Sequence, residues 1–175
     1  MEPKAESPNE RTIVHVCGIP GSGKTTYCKW LEQEKHFLHL DFDHLLSGIG
    51  TQVKLSLIRP LLEGHTKNFI AKLSERHQST VIDWGFPVTN LPVVQQLQRE
   101  GVSIWWFDGD RPAARQAFAR RATVSLADFD RQMKSIEKQW TEIEQLIGDH
   151  VIGTVKMGPA HAKPDWIFEQ MFSGV

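Results

Sequence analysis

The sequence predicts an α/β protein in which a five-stranded parallel sheet is covered on both faces by helices. Three observations carry this expectation. Short apolar runs alternate with helical patterns along the whole chain, as right-handed crossovers between parallel strands require. The first run stops at a glycine-rich turn, Gly18-Ile19-Pro20-Gly21-Ser22-Gly23-Lys24-Thr25, which opens the first helix. Two further runs end in carboxylates, at Asp41 and Asp83.

Taken in order, residues 1–11 mix prolines, polar and charged side chains, and predict a flexible tail that cannot bury enough apolar surface to offset the entropy of ordering. Thr12 to Cys17 is β-branched and short, the pattern of a buried parallel strand. Thr25 to Glu34 carries Tyr27, Cys28 and Leu31 at helical spacing. Phe37 to Leu40 reads as a second strand and Val53 to His77 as one or two helices, with Pro60 and Gly64 as breakers. Thr80 to Asp83 is the third strand, Leu91 to Glu100 a helix, Val102 to Phe107 the fourth strand and Arg111 to Arg121 a helix. Leu126 to Ile147 predicts one longer helix, Val151 to Val155 the fifth strand, and Asp165 to Met171 a short closing helix. Residues 12–175 are thus expected to form one domain, with an acceptor-side helical region at about 44–78 and a short lid at about 120–130.

Composition narrows the function classes. Of 175 residues, 40% are apolar and 23% charged, 20 basic against 21 acidic for a net charge of −1. A nucleic-acid-binding domain is expected to be far more basic, with a pI above about 9, so binding of polyanions by global charge is not expected. No apolar run approaches the roughly 18 residues of a membrane span, and the polar N-terminus has no apolar signal core. These features predict a cytoplasmic, unsecreted protein without a membrane partner, acting as a monomer or homodimer. Cys17 and Cys28 fit no metal or redox spacing and read as reduced packing residues. The eight histidines, His36, His39 and His44 among them, show no ligand constellation in sequence.

The turn from Gly18 to Thr25 satisfies G-x-x-x-x-G-K-[ST] in the strand-to-helix context that motif needs. At ordinary residue frequencies a chance match in this length has odds of roughly 0.6%. The residue types follow from the chemistry of a phosphate. Gly18, Gly21 and Gly23, with Ile19, Pro20 and Ser22 between them, let main-chain N–H groups curl round an anion, and the helix N-terminus adds about half a positive charge. Lys24 would reach the β- and γ-phosphates of ATP, the Thr25 hydroxyl would bind Mg²⁺, and Thr26 lies beside the same phosphates.

Such a loop needs a carboxylate nearby to help hold the metal, and Asp83 ends an apolar strand where one is required. For Asp83 and Thr25 to share an ion, the third strand must lie beside the first, with the second outside it. Asp41 and Asp43 follow the second strand at the carboxyl edge of the sheet, where ligands of open α/β sheets bind. Either carboxylate could orient an acceptor hydroxyl and take its proton, and Asp41 could also meet the metal. The alternatives are a helix N-cap for Asp43 and solvation for Asp41. Arg115, Arg120 and Arg121 lie late in a helix, before the short segment from Ala122 to Ser125, where guanidinium groups could close over ATP. Solvation near a helix C-terminus is their alternative, and Arg131 could close from the far side. Trp84, Gly85 and Phe86 follow Asp83 and could wall an acceptor pocket or belong to the core. Lys54 and Arg59 could meet an anionic acceptor or form a solvated helix face. Trp105 and Trp106 read as core.

With the phosphate loop, the Asp41-x-Asp43 pair, the Asp83-Trp84-Gly85 strand end and the arginine-bearing segment in this order, residues 12 to about 172 resemble the small P-loop kinases of the nucleoside monophosphate kinase superfamily. The resemblance is nearest the branch of shikimate and gluconate kinases, zeta-toxins and chloramphenicol phosphotransferases. It implies the P-loop NTPase fold, a three-layer α/β/α sandwich with sheet order 2-3-1-4-5, ATP and Mg²⁺ as donor, and closure of lid and acceptor region on binding. It also implies that Lys156 to Ala160 meets the adenine, and that Asp41 and Asp43 contact acceptor or metal. The short lid and the lack of a clear arginine pattern for a nucleoside monophosphate argue against a nucleotide acceptor. Trp84-Gly85-Phe86, standing where shikimate kinases carry a glycine triplet, argues against shikimate. The expected activity is ATP-dependent phosphorylation of a hydroxyl on a small metabolite, sugar-like compound or antibiotic. The alternatives are a nucleoside or nucleotide kinase, and an ATP-gated binding module without catalysis.

Overall fold

The computed structural model describes residues 11–44, 51–76, 78–85, 90–121, 125–156 and 161–173. Strands β1 (Ile13–Gly18), β2 (Leu38–Asp41), β3 (Thr80–Asp83), β4 (Ser103–Gly109) and β5 (Val151–Val155) form one parallel sheet in the order β2-β3-β1-β4-β5. Eight helices among the described residues accompany them: α1 (Lys24–Lys35), α2 (Thr51–Leu62), α3 (Thr66–Ser74), α4 (Leu91–Arg99), α5 (Arg111–Ala119), α6 (Leu126–Lys138), α7 (Trp140–Ile147) and α8 (Pro164–Phe172).

Alternation along the strands divides the core in two. Val14, Val16, Val81, Phe107 and Ile152 face α1 and α8, where Tyr27, Cys28, Leu31, Ile167 and Met171 cover them. Cys17, Leu40, Ile82, Ile104 and Trp106 face the other way, against apolar residues of α2 to α7. This three-layer arrangement is the one expected, and it places the third strand between the first and second.

Two helical expectations are corrected. Pro60 does not end the helix but lies within α2. The proline nitrogen cannot donate to the Ser56 carbonyl one turn back, and the Lys72 ammonium of α3 donates to that oxygen instead, at 3.2 Å. The break falls at Gly64, whose φ of 80° is one a glycine adopts without strain. The long helix expected from Leu126 is likewise two helices, parted at Gln139 (φ −114°, ψ 18°). The turn brings Trp140 edge-on to the buried Trp106 ring, with centroids 5.8 Å apart.

Parallel pairing carries every strand's carboxyl end to one edge. Register sets Val16 beside Asp83, and Asp83 beside Asp41, so two carboxylates stand level with the last residues of β1.

Candidate active site

At that edge β1 passes into the glycine-rich turn. Gly18, Gly21 and Gly23 take φ values of 137°, 77° and 85°, conformations that side-chain-bearing residues rarely adopt. A Cβ on Gly18 would stand 2.1 Å from the Phe107 carbonyl oxygen, and one on Gly21 2.1 Å from that of Ala114, so β4 and α5 press directly on the loop backbone. The Ser22 hydroxyl donates to the Ile19 carbonyl at 2.8 Å, and Thr154 of β5 donates to the Ser22 carbonyl at 2.8 Å. His161, before α8, stands with Nε2 3.1 Å from the Gly21 carbonyl. Ile19 and Pro20 are buried, Thr25 is half-buried and Thr26 exposed.

Helix α1 begins with no side chain capping its first N–H groups and no acidic residue in its first turn. Its positive end is therefore not offset by any side chain of its own first turn or cap. Lys24 Nζ folds back to donate to the carbonyls of Gly18 (3.1 Å) and Ile19 (2.7 Å), and to Ser22 Oγ at 3.4 Å. Burial pushes its ammonium down to about 8; Asp83, Cys17 and Asp43 act upward, and Arg121 downward. The Asp83 and Asp43 carboxylates, from the ends of β3 and β2, and the Arg121 guanidinium beyond α5 thus all bear electrostatically on one lysine.

Asp83 is buried, and its Oδ2 lies 3.2 Å from His39 Nε2. Asp41 accepts the backbone N–H groups of Asp43 and His44 on Oδ1, at 3.0 and 3.1 Å, and stands 3.0 Å from His44 Nδ1 on Oδ2. Asp41 is therefore the residue that shapes this turn, and it is not simply solvated. Asp43, two residues past the carboxyl end of β2, is exposed, and its Oδ2 lies 3.8 Å from where a Cβ on Gly85 would stand. Partial desolvation, then the Asp83 and Asp41 carboxylates, hold Asp43 above the ordinary carboxylate range against the pull of Lys24 and His44.

Trp84 stacks on Phe42 with centroids 5.1 Å apart, and on His15 at 6.0 Å. Burial pushes His15 down to about 4, so its ring is neutral at pH 7, with Nε2 3.1 Å from the Trp84 carbonyl. Of the arginines, Arg121 lies over the Phe118 ring at 5.9 Å, while Arg120 is exposed at the end of α5. Arg115 makes a two-pronged pair with Asp130 of α6, both contacts at 3.2 Å, and so holds the two helices that flank the expected lid. Arg131 pairs within α6 with Asp128. Arg59 is exposed and pairs with Glu63 along α2 at 3.6 Å, and its described contacts do not join it to the cleft. Phe86, the lid residues 122–124 and residues 157–160 of the expected adenine segment lie outside the described residues. Lys156 sits over the Trp166 ring at 5.6 Å.

Sequence reasoning missed His39, His15, Thr154 and His161. His39 had a signal: it precedes Asp41 by two residues in a strand, so both face the same side. The other three depend on contacts across 69 to 140 residues.

No family model matches the chain, and no curated protein matches its sequence. Solved structures do match. The shikimate kinase from Acinetobacter baumannii, in complex with shikimate, superposes with a TM-score of 0.61 at 15% identity, over 94% of this chain and 95% of that one. The fold is that of the small P-loop kinases. A sugar kinase from Janibacter sp. HTCC2649 shares this kinase fold with a TM-score of 0.54 at 18% identity, over 93% of each chain. A gluconokinase from Sinorhizobium meliloti 1021 does so with 0.51 at 14% identity, over 94% of this chain and 90% of that one.

Proposed function

We propose that the protein is an ATP-dependent phosphotransferase that moves the γ-phosphoryl group of ATP to a hydroxyl of a small metabolite or sugar-like compound. The observation that carries this reading is a glycine loop folded around Lys24 at an uncapped helix end, level with the strand ends that carry Asp83 and Asp41. The donor set also fits magnesium: the Thr25 hydroxyl and the buried Asp83 carboxylate are hard oxygen ligands beside a polyphosphate site. When bound, the ion would neutralise charge on the phosphate oxygens.

In this reading the loop N–H groups and Lys24 grip the phosphates and oppose the charge that develops on transfer. Arg121 adds a second cation from the lid side. Asp43, exposed at the carboxyl edge of the sheet and more basic than an ordinary carboxylate, orients the acceptor hydroxyl. It takes that proton as the new O–P bond forms and the bond to the departing ADP breaks. The Trp84 and Phe42 rings supply a flat apolar wall suited to a small ring compound. The three kinases named above, all bearing names of small hydroxylated substrates or of sugars, support an acceptor of that size.

The direct test is acceptor-dependent ATP consumption across a panel of hydroxylated metabolites. Product from at least one is expected; a folded, ATP-binding protein that phosphorylates none would count against the reading. Asp43→Asn separates a kinase from a nucleotide-gated binding module. Transfer is expected to fall by about 10²–10⁴-fold, the contribution of a positioned base, while ATP affinity stays within a few-fold. Equal loss of both would remove Asp43 from the chemistry.

Lys24 also sets a pH dependence. Free, it titrates at about 8; beside a polyphosphate its charged form is favoured and the value rises. Below pH 8 both states hold the proton and affinity is flat. Above it, binding takes up a proton, so affinity for ATP falls by up to tenfold per pH unit. Calorimetry with ATP and a magnesium chelator should show roughly 20-fold weaker binding at pH 9.5 than at pH 7.5. The groups facing Lys24 are Asp83, Cys17, Asp43 and Arg121; Cys17 is pushed up to about 12 by burial and stays protonated across this window. Lys24→Ala should flatten the profile.

A further inference from the structure

Beneath α1, on the sheet face it shares with α8, three buried side chains from three elements converge: Cys28 of α1, His39 of β2 and Asp83 of β3. Their ligand atoms, one sulfur, one nitrogen and one oxygen, all lie within 4.8 Å of one another. We propose that Cys28, His39 and Asp83 form a site for a thiophilic divalent cation, zinc foremost. This goes beyond the phosphotransfer reading and does not depend on it.

The geometry is close to that of a tetrahedral centre. With Zn–N and Zn–O bonds of about 2.0–2.2 Å, two neighbouring N and O ligands stand about 3.3 Å apart, and N and S ligands about 3.6 Å. His39 Nε2 and Asp83 Oδ2 already stand 3.2 Å apart. Closing the thiol onto them from within 4.8 Å requires each distance to shorten by at most about 1.2 Å, and Cys28 occupies a helix face packed directly on this part of the sheet.

The outer contacts also suit a metal. Glu32, one turn after Cys28 on α1, places Oε2 3.5 Å from His39 Nδ1. A carboxylate so placed would favour the imidazole proton on Nδ1 and free Nε2 for a cation. Glu32 is in turn 3.9 Å from Lys54 Nζ. On binding, the metal forms bonds to sulfur, nitrogen and oxygen, the Cys28 thiol proton leaves to solvent, and the proton that Nε2 directs at Asp83 is displaced, leaving the neutral imidazole with its one proton on Nδ1, toward Glu32. One thiolate and one carboxylate then balance the two charges of the ion, which a buried site requires. Sulfur and imidazole ligands select zinc or cobalt over magnesium. Because Asp83 is also the candidate carboxylate of the phosphate site, a cation held here would draw it away from that role.

The test uses chelator-treated, fully reduced protein, without nucleotide, titrated with cobalt(II) chloride and then zinc chloride. One equivalent of cobalt is expected to give a near-ultraviolet thiolate-to-cobalt charge-transfer band, which one equivalent of zinc abolishes. Cys28→Ala should eliminate the band and weaken binding at least 100-fold or so, and Glu32→Gln should weaken it by about 10–100-fold. Cys17→Ala should leave both unchanged. Glu32 is exposed, so its variant keeps the test decisive if Cys28→Ala fails to fold. Absence of the band from the unmodified protein, its persistence in Cys28→Ala, or full affinity in Glu32→Gln would overturn the proposal, whatever the protein does with ATP.

Discussion

Lys24→Ala is expected to lower phosphoryl transfer by about 10²–10³-fold, the range seen when one preorganised charge or hydrogen-bond donor is removed from a transition state. The effect should lie in turnover more than in folding. The ammonium is held against main-chain carbonyls at a cost in desolvation that depresses its titration to about 8, so truncation removes a partly buried, desolvated charge along with its hydrogen bonds. Turnover on an acceptor found in the panel, measured beside thermal melting, checks both halves. Normal turnover would strip Lys24 of its assigned role, and collapse of the melt would make it a structural residue.

Gly18→Ala is expected to cost about 2–5 kcal/mol of stability, the sum of a strained backbone conformation and an overpacked contact. Two observations combine. The φ of 137° is one that side-chain-bearing residues rarely adopt, and the added Cβ would fall 2.1 Å from the Phe107 carbonyl oxygen. That oxygen already accepts the Ile19 N–H at 3.0 Å. Moving it to relieve the clash would disturb β4 and the loop together, so ATP binding should fail along with stability. Denaturant midpoints and nucleotide titration of the same variant measure the pair. A loss under about 1 kcal/mol would mean that the strand and loop relax independently.

These two residues mark what could be read without coordinates. The phosphate loop is contiguous, so its glycines, Lys24 and Thr25 announce themselves in eight consecutive positions with a strand before and a helix after. The placement of β3 beside β1 also followed from chemistry, because Asp83 must approach Thr25 to share a metal. Helix ends were less legible. The Ser56 carbonyl that Pro60 leaves without a helical donor is exposed and accepts from Lys72 of α3, and no local pattern reports a donor 16 residues away. The break at Gln139 accompanies the packing of Trp140 on Trp106, a contact that the local helix propensity does not report.

The arginines show the same limit. Arg115, Arg120 and Arg121 share a helix end, yet Arg115 is engaged by Asp130, and only Arg121 bears electrostatically on Lys24. Such assignments depend on where α6 packs.

By itself, the sequence determined the alternation of strands and helices, the sheet they imply and the phosphate loop, because each rests on the local spacing of side chains along the backbone. Tertiary structure alone decided that His15 and Phe42 flank Trp84, and that Cys28, His39 and Asp83 meet under α1. Those arrangements join residues up to 69 positions apart through strand register and helix packing. Distance along a chain carries no record of such neighbours until the sheet has closed.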